Sequence, residues 1–319
     1  MEKIKSLYEK LKENVSVAVV GREEAVAYLT AALICGGHVI ITDVPGTGKT
    51  LLTKSFASSL SLSFSRIQFT PDLMPSDITG IRYFNLKKQE FEFLPGPVFS
   101  NIVMADEINR ATPKTQAGML ECMAEYQVTV DGERHALPSP FMVIATQNPI
   151  EAAGVYELPE AQLDRFLISL SVGLPSRAQT LQILKKYDKA SEAPKISAVA
   201  GLSEIAEATA ELDSVYVSDD VFSYIVTICE ATRRAEGVEL GASPRAALAL
   251  LQVSKCFAAM DGRDYLLPDD IKRCAVNVLS HRLVLSAAAS LKAGSAQKAV
   301  ADVISAVAAP TENLSQYKL

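Results

Sequence analysis

The sequence predicts an α/β fold, a parallel sheet with helices on both faces, followed by a smaller all-α domain. Three observations carry that expectation. Short apolar runs at His38–Ile41, Ile102–Ala105 and Phe141–Ala145 read as buried strands, and each leads into residues suited to ligand chemistry. Helical segments lie between them, the alternation that builds a parallel sheet. After Leu174-Pro175 the strand-like runs stop and helical patterns follow one another, so the division is expected between an α/β unit at 1–173 and a helical unit at 174–319.

The first element expected is an amphipathic helix, with Ile4, Leu7, Tyr8, Leu11 and Val15 at helical spacing. Acidic and basic residues mix there from the second position, unlike the apolar core of a signal peptide. Ala25 to Thr42 carries no formal charge over about the length of a membrane span, but Gly36-Gly37-His38 divides it. A buried helix followed by a buried strand is the better reading, and a cytoplasmic protein without a transmembrane segment is expected.

The strand at His38–Ile41 runs into DVPGTGKT, residues 43–50, and then into LLTKSFASSL, with Leu51, Leu52, Phe56 and Leu60 on one helical face. Strand, loop and helix in that order are the setting of the phosphate-binding pattern G-x-x-x-x-G-K-[ST]. Gly48, Lys49 and Thr50 are in register, while Asp43 stands where the first glycine belongs. Pro45, Gly46, Thr47, Gly48, Lys49, Thr50 and Leu51 would wrap the phosphates through backbone N–H groups at the helix start. Lys49 adds a positive charge and the Thr50 hydroxyl can ligate magnesium. Asp43 is tolerable because aspartate enters left-handed conformations more readily than most residues.

Ser63–Phe69 reads as a further strand. Ile81–Phe84 with Glu90–Leu94, and Val128–Val130 with Glu133–His135 around Asp131-Gly132, read as hairpins inserted near 80–95 and 127–138. The run ending at Ala105 delivers Asp106 and Glu107 to the carboxyl end of a strand, where parallel sheets bind ligands. Asp106 would hold magnesium and Glu107 would activate water. The third run ends in Thr146-Gln147-Asn148, and Asn148 could bond the γ-phosphate or the attacking water.

The ordered set VVGREEAV (19–26), DVPGTGKT, MADEINRA (104–111), KTQAGMLECMAE (114–125), ATQNPIE (145–151), LPEAQLDRF (158–166) and GASPRA (241–246) resembles the MoxR family of AAA+ ATPases, from about Val19 to at least Leu285. Aspartate at position 43 is usual in that family. The resemblance implies an AAA+ P-loop core with a helical lid, ATP and Mg2+ as cofactors, and a ring of identical subunits, expected to be a hexamer. It also implies that Arg165 is a finger for the neighbouring subunit's nucleotide, that Arg245 is the sensor 2 arginine, and that Val19 and Val20 flank adenine. Chaperone-like remodelling of a protein client, possible through a partner with a von Willebrand factor A domain, is the implied role. A magnesium-chelatase-like motor subunit shares the same chemistry and is the alternative, with a nucleic-acid motor ranked below it.

In the helical half, Ser176, Ser203, Ser218 and Ser243 are candidate N-caps, with Pro244 suited to a first turn. Alanine-rich Ser286–Ala309 reads as a last helix. A net charge of −6 argues against nucleic acid as the main partner, and Tyr83-Phe84 near Lys87-Lys88 is explained as well by a hairpin surface. Five scattered cysteines and three dispersed histidines offer neither a zinc motif nor a disulfide framework.

Overall fold

The sheet places the three expected strands side by side, and that adjacency builds the site. The computed structural model describes residues 1–149, 154–188, 194, 196–291 and 295–310. Internal contacts divide the chain into one unit at Lys3–Ala210 and another at Glu211–Leu319 with Met1–Glu2. That division lies beyond the sequence break at Leu174-Pro175, because the first two helices after the break group with the sheet rather than with the helices that follow.

The chain opens with α1 (Glu2–Ser16), which buries Ile4, Leu7, Leu11 and Val15 along one face. Tyr8, expected on that face, is only half-buried. The uncharged stretch resolves into α2 (Glu23–Ile34), buried along most of its length, and β1 (Val39–Thr42). Among the described residues no helix is long and apolar enough to cross a membrane. Next come α3 (Lys49–Ser58), β2 (Phe64–Gln68), α4 (Pro75–Thr79), the hairpin β3 (Gly80–Asn85) and β4 (Glu90–Pro95), β5 (Ile102–Asp106) and α5 (Pro113–Glu125). A second hairpin, β6 (Gln127–Val130) and β7 (Glu133–Ala136), precedes β8 (Met142–Gln147), α6 (Glu160–Leu163), β9 (Ile168–Leu170), α7 (Arg177–Tyr187) and α8 (Leu202–Leu212).

The sheet is parallel throughout, in the order β2-β5-β8-β1-β9. Every residue of β5 is buried, as are all but the last of β1 and β8. Strands covered on both faces need apolar side chains at consecutive positions, which is why these runs do not alternate. The register pairs Thr42 with Gln147 and Gln68 with Asp106, so the carboxyl ends of β1, β8, β5 and β2 form one edge. Strand β9 was not foreseen; it is only three residues long and begins just past the LPEAQLDRF segment.

Both hairpins form where expected. Asp131 and Gly132 both have positive φ, +50° and +82°, the turn that suits a right-twisted two-residue hairpin. The two insertions pack together, with Phe93 stacked on His135 at 4.0 Å and Arg82 paired to Glu133 at 3.3 Å. On the first hairpin Leu86, Phe91 and Leu94 are exposed.

The second unit comprises α9 (Asp219–Thr232), β10 (Val238–Leu240), α10 (Pro244–Met260), α11 (Pro268–Leu279), β11 (Val284–Leu285), α12 (Ala287–Ser290) and α13 (Ser295–Ala306). Ser176, Ser218 and Ser243 cap α7, α9 and α10 as expected. Ser203 does not cap: α8 starts at Leu202, and the Glu204 carboxylate accepts the Gly201 N–H at 3.0 Å and the Ser203 hydroxyl at 3.1 Å. The ribbon of β10 and β11 was also unforeseen, being too short for alternation to show. Ser286–Ala309 forms two helices rather than one, with 292–294 outside the described residues.

Candidate functional site

Strand β1 hands the chain to the loop at Thr42. Gly46 and Gly48 have φ of +82° and +88°, values that residues with a Cβ resist. A Cβ at either would meet nothing within 4 Å, so the loop presents an open cradle of backbone ahead of α3. The first N–H groups of a helix lack intrahelical partners and carry partial positive charge, which suits an anion. Thr47 braces the loop by donating to the Val44 carbonyl at 3.2 Å. Pro45 is exposed, while Thr50 and Leu51 are half-buried in the first turn of α3.

Lys49 reaches across the mouth of the loop, donating from Nζ to the carbonyls of Asp43 at 2.5 Å and Gln147 at 3.2 Å. Burial lowers its pKa below the ordinary lysine value, against the raising influence of Asp43, Asp106 and Glu107. The lysine therefore sits in the field of all three acids. Oxygen from Thr50 and Asp106 is the hard donor chemistry that magnesium takes, so these residues fit that ion.

Asp43 works differently from the sequence expectation. Its φ is not positive, so tolerance of left-handed backbone is not what admits it. It is buried, and its carboxylate accepts from the Ser171 hydroxyl at 3.0 Å and from the N–H groups of Val172 and Gly173. Arg22 in turn donates to the carbonyls of Val172 at 2.5 Å and Gly173 at 2.7 Å.

The two acids after β5 are held unequally. Asp106 is buried; its Oδ1 accepts from the Thr146 hydroxyl at 2.6 Å and its Oδ2 from Arg66 Nη2 at 2.6 Å and Nε at 3.1 Å. Glu107 is half-exposed, with a left-handed backbone (φ +55°) whose N–H donates to Thr146 Oγ1 at 2.8 Å. Gln68 Nε2 donates to Glu107 Oε2 at 2.8 Å while its own Oε1 accepts from Arg66 at 2.8 Å, and Arg110 approaches Glu107 at 3.2 Å. One buried hydroxyl thus orients both acids, and β2 supports them from the side.

Arg66, Gln68, Thr146, Arg22 and Ser171 escaped the sequence reading. A signal existed for two of them: Arg66 and Gln68 share one strand face, with buried Ile67 between them. Asn148 is buried just past β8, its carbonyl accepting from Asn109 Nδ2 at 3.1 Å. Ile150 and Glu151, the end of the ATQNPIE segment, lie outside the described residues.

Val19 is buried and Val20 half-buried in the turn between α1 and α2. Half-buried Arg165 follows α6 and donates to the Leu120 carbonyl in α5. Arg245 is exposed in the first turn of α10, in the second unit.

Comparison with known proteins adds independent findings. Residues 38–168 match the ATPase family associated with various cellular activities (AAA), and residues 230–303 match the AAA lid domain. The uncharacterised Bacillus subtilis protein YeaC is 42% identical over 98% of this chain and 97% of its own. Chaperone MoxR1 of Mycobacterium tuberculosis is 40% identical over 92% of this chain and 80% of its own. A crystal structure of a candidate ATPase from Cytophaga hutchinsonii superposes with a TM-score of 0.87 at 36% identity, over 97% of this chain and 98% of that one.

Proposed function

The chain belongs to the MoxR family of AAA+ ATPases, and from that premise we propose that it hydrolyses ATP within a ring of identical subunits to remodel a partner protein. The observation that carries the reading is the shared edge of β1, β8 and β5, where a glycine cradle, Lys49, Asp106 and Glu107 converge. The backbone from Pro45 to Leu51 would take the phosphates, and Lys49 would offset their charge. Thr50 and Asp106 would hold magnesium, whose charge offsets that on the phosphate oxygens.

The unequal environments of the acids support separate roles. Asp106, buried and bonded through both oxygens, suits a fixed ligand. Glu107, half-exposed and held by single bonds from Gln68 and Arg110, suits a base that takes a proton from water. Asn148 would bond the γ-phosphate or that water. Arg165 would serve a neighbouring subunit's site and Arg245 would sense the γ-phosphate from the lid, while Val19 and Val20 would flank adenine.

A hexamer is the assembly we propose. Its client would be a protein, reached through a partner carrying a von Willebrand factor A domain, in the cytoplasm. The exposed Leu86, Phe91 and Leu94 of the first hairpin supply an apolar contact surface for such a partner. Glu107→Gln tests the reading: with ATP it should assemble into a ring, measurable by light scattering, and retain bound nucleotide without turnover. Native-rate hydrolysis by that variant, or a monomer under every nucleotide condition, would overturn it.

A further inference from the structure

We infer that Asp43 is a positioning residue that couples the phosphate loop to the segment ahead of α2, keeping the two ends of one nucleotide in register. This rests on the nucleotide reading above. The dipeptide Val172-Gly173, just after β9, lies between an acid and a base. Its N–H groups face Asp43: Val172 donates to Oδ2, and Gly173 donates to Oδ1 at 3.2 Å and Oδ2 at 3.1 Å. Its carbonyls face Arg22, which reaches them through Nη1 and Nη2. The Val172–Gly173 peptide group thus bridges opposite charges, its N–H toward Asp43 and its C=O toward Arg22, so its bonds polarise and strengthen one another. The flanking Val172 N–H and Gly173 carbonyl add one more bond to each charge. Asp43 is only 7% exposed, which limits competition from water.

Both ends of this bridge are anchored. Beyond Arg22, α7 holds the turn that carries Val19 and Val20: Gln179 donates to the Gly21 carbonyl at 3.2 Å and Tyr187 to the Ala18 carbonyl at 2.7 Å. At the other end, the backbone carbonyl of Asp43 receives Lys49. The main chain at 43 therefore serves the lysine while its side chain serves the bridge. A glycine there would restore the consensus loop, keep the first function and lose the second.

The test compares wild type, Asp43→Gly, Asp43→Asn and Arg22→Gln for binding of ATP and of inorganic tripolyphosphate, which meets the loop but lacks a base. Folding is checked by circular dichroism. Losing charge-assisted bonds of this kind should weaken ATP by about tenfold in Asp43→Gly, with tripolyphosphate changed much less. Asp43→Asn, which keeps one acceptor oxygen, should fall between, and Arg22→Gln should reproduce the selective loss. If Asp43→Gly does not fold, the asparagine and Arg22 variants carry the same comparison. The double variant should lose less than the sum of the two single changes, because both cut one network. Wild-type affinity for ATP in Asp43→Gly, or equal losses for both ligands, would overturn the inference while leaving the nucleotide reading intact. A wild-type protein that binds neither ligand would overturn both.

Discussion

Replacing Thr146 with valine exchanges a hydroxyl for a methyl of nearly the same volume at a position 1% exposed. The hydroxyl donates to Asp106 at 2.6 Å and accepts from the Glu107 N–H at 2.8 Å. Its loss removes a hydrogen bond to a charged group, roughly 1.5–3 kcal/mol, and strips the Glu107 N–H of this acceptor, roughly 1–3 kcal/mol. A combined cost of about 3 kcal/mol lowers the melting temperature of a unit this size by roughly 6–12 °C. Thr146→Ser keeps the hydroxyl and should lose far less. Thermal unfolding followed by circular dichroism measures the shift, and phosphate release from Mg-ATP measures the effect on the acids. Turnover in Thr146→Val should fall by at least about tenfold, since small misplacements of reacting groups are costly. A valine variant that melts within about 2 °C of wild type and hydrolyses ATP at the native rate would refute the role given to this hydroxyl.

Two further predictions concern charge. In the proposed ring, Arg165→Ala subunits mixed with wild type should depress hydrolysis in proportion to the fraction of sites with an altered neighbour, and inhibition that never depends on neighbours would remove the proposed finger role. Because burial lowers the pKa of Lys49, the folded protein gives up this proton at lower pH than the unfolded chain, whose lysine titrates near 10.5. The cost of burying its charge is therefore present below the lowered pKa and disappears as pH rises toward 10.5. A phosphate ligand favours the charged lysine, so nucleotide binding in that window should take up a proton. Calorimetry in buffers of different ionisation enthalpy reads this directly, and binding without proton uptake there would contradict it.

Much of the site was legible because its residues stand at strand ends, where an apolar run followed by Asp106-Glu107 or Thr146-Gln147-Asn148 marks the carboxyl edge of a sheet. The cradle was legible from the spacing of Gly46, Gly48, Lys49 and Thr50. What holds these groups was not, because the supports come from distant parts of the chain: Arg66 lies 40 residues from Asp106, and Val172 lies 129 from Asp43. No local pattern encodes such pairings. Asp43 stands where a backbone role would be expected, whereas its carboxylate is used for contacts with the segment just past β9, a strand too short to show in the sequence. In the helical half, caps at Ser218 and Ser243 were readable from local chemistry, while Ser203 was not, because Glu204 one residue later takes the capping N–H.

The most direct test of the central claim is phosphate release from ATP by the purified chain, with and without magnesium, beside Lys49→Ala. Magnesium-dependent release is expected from the wild type, with loss of both binding and release in the variant. Release that survives Lys49→Ala unchanged, or a folded wild-type protein that neither binds nor hydrolyses ATP, would contradict that claim.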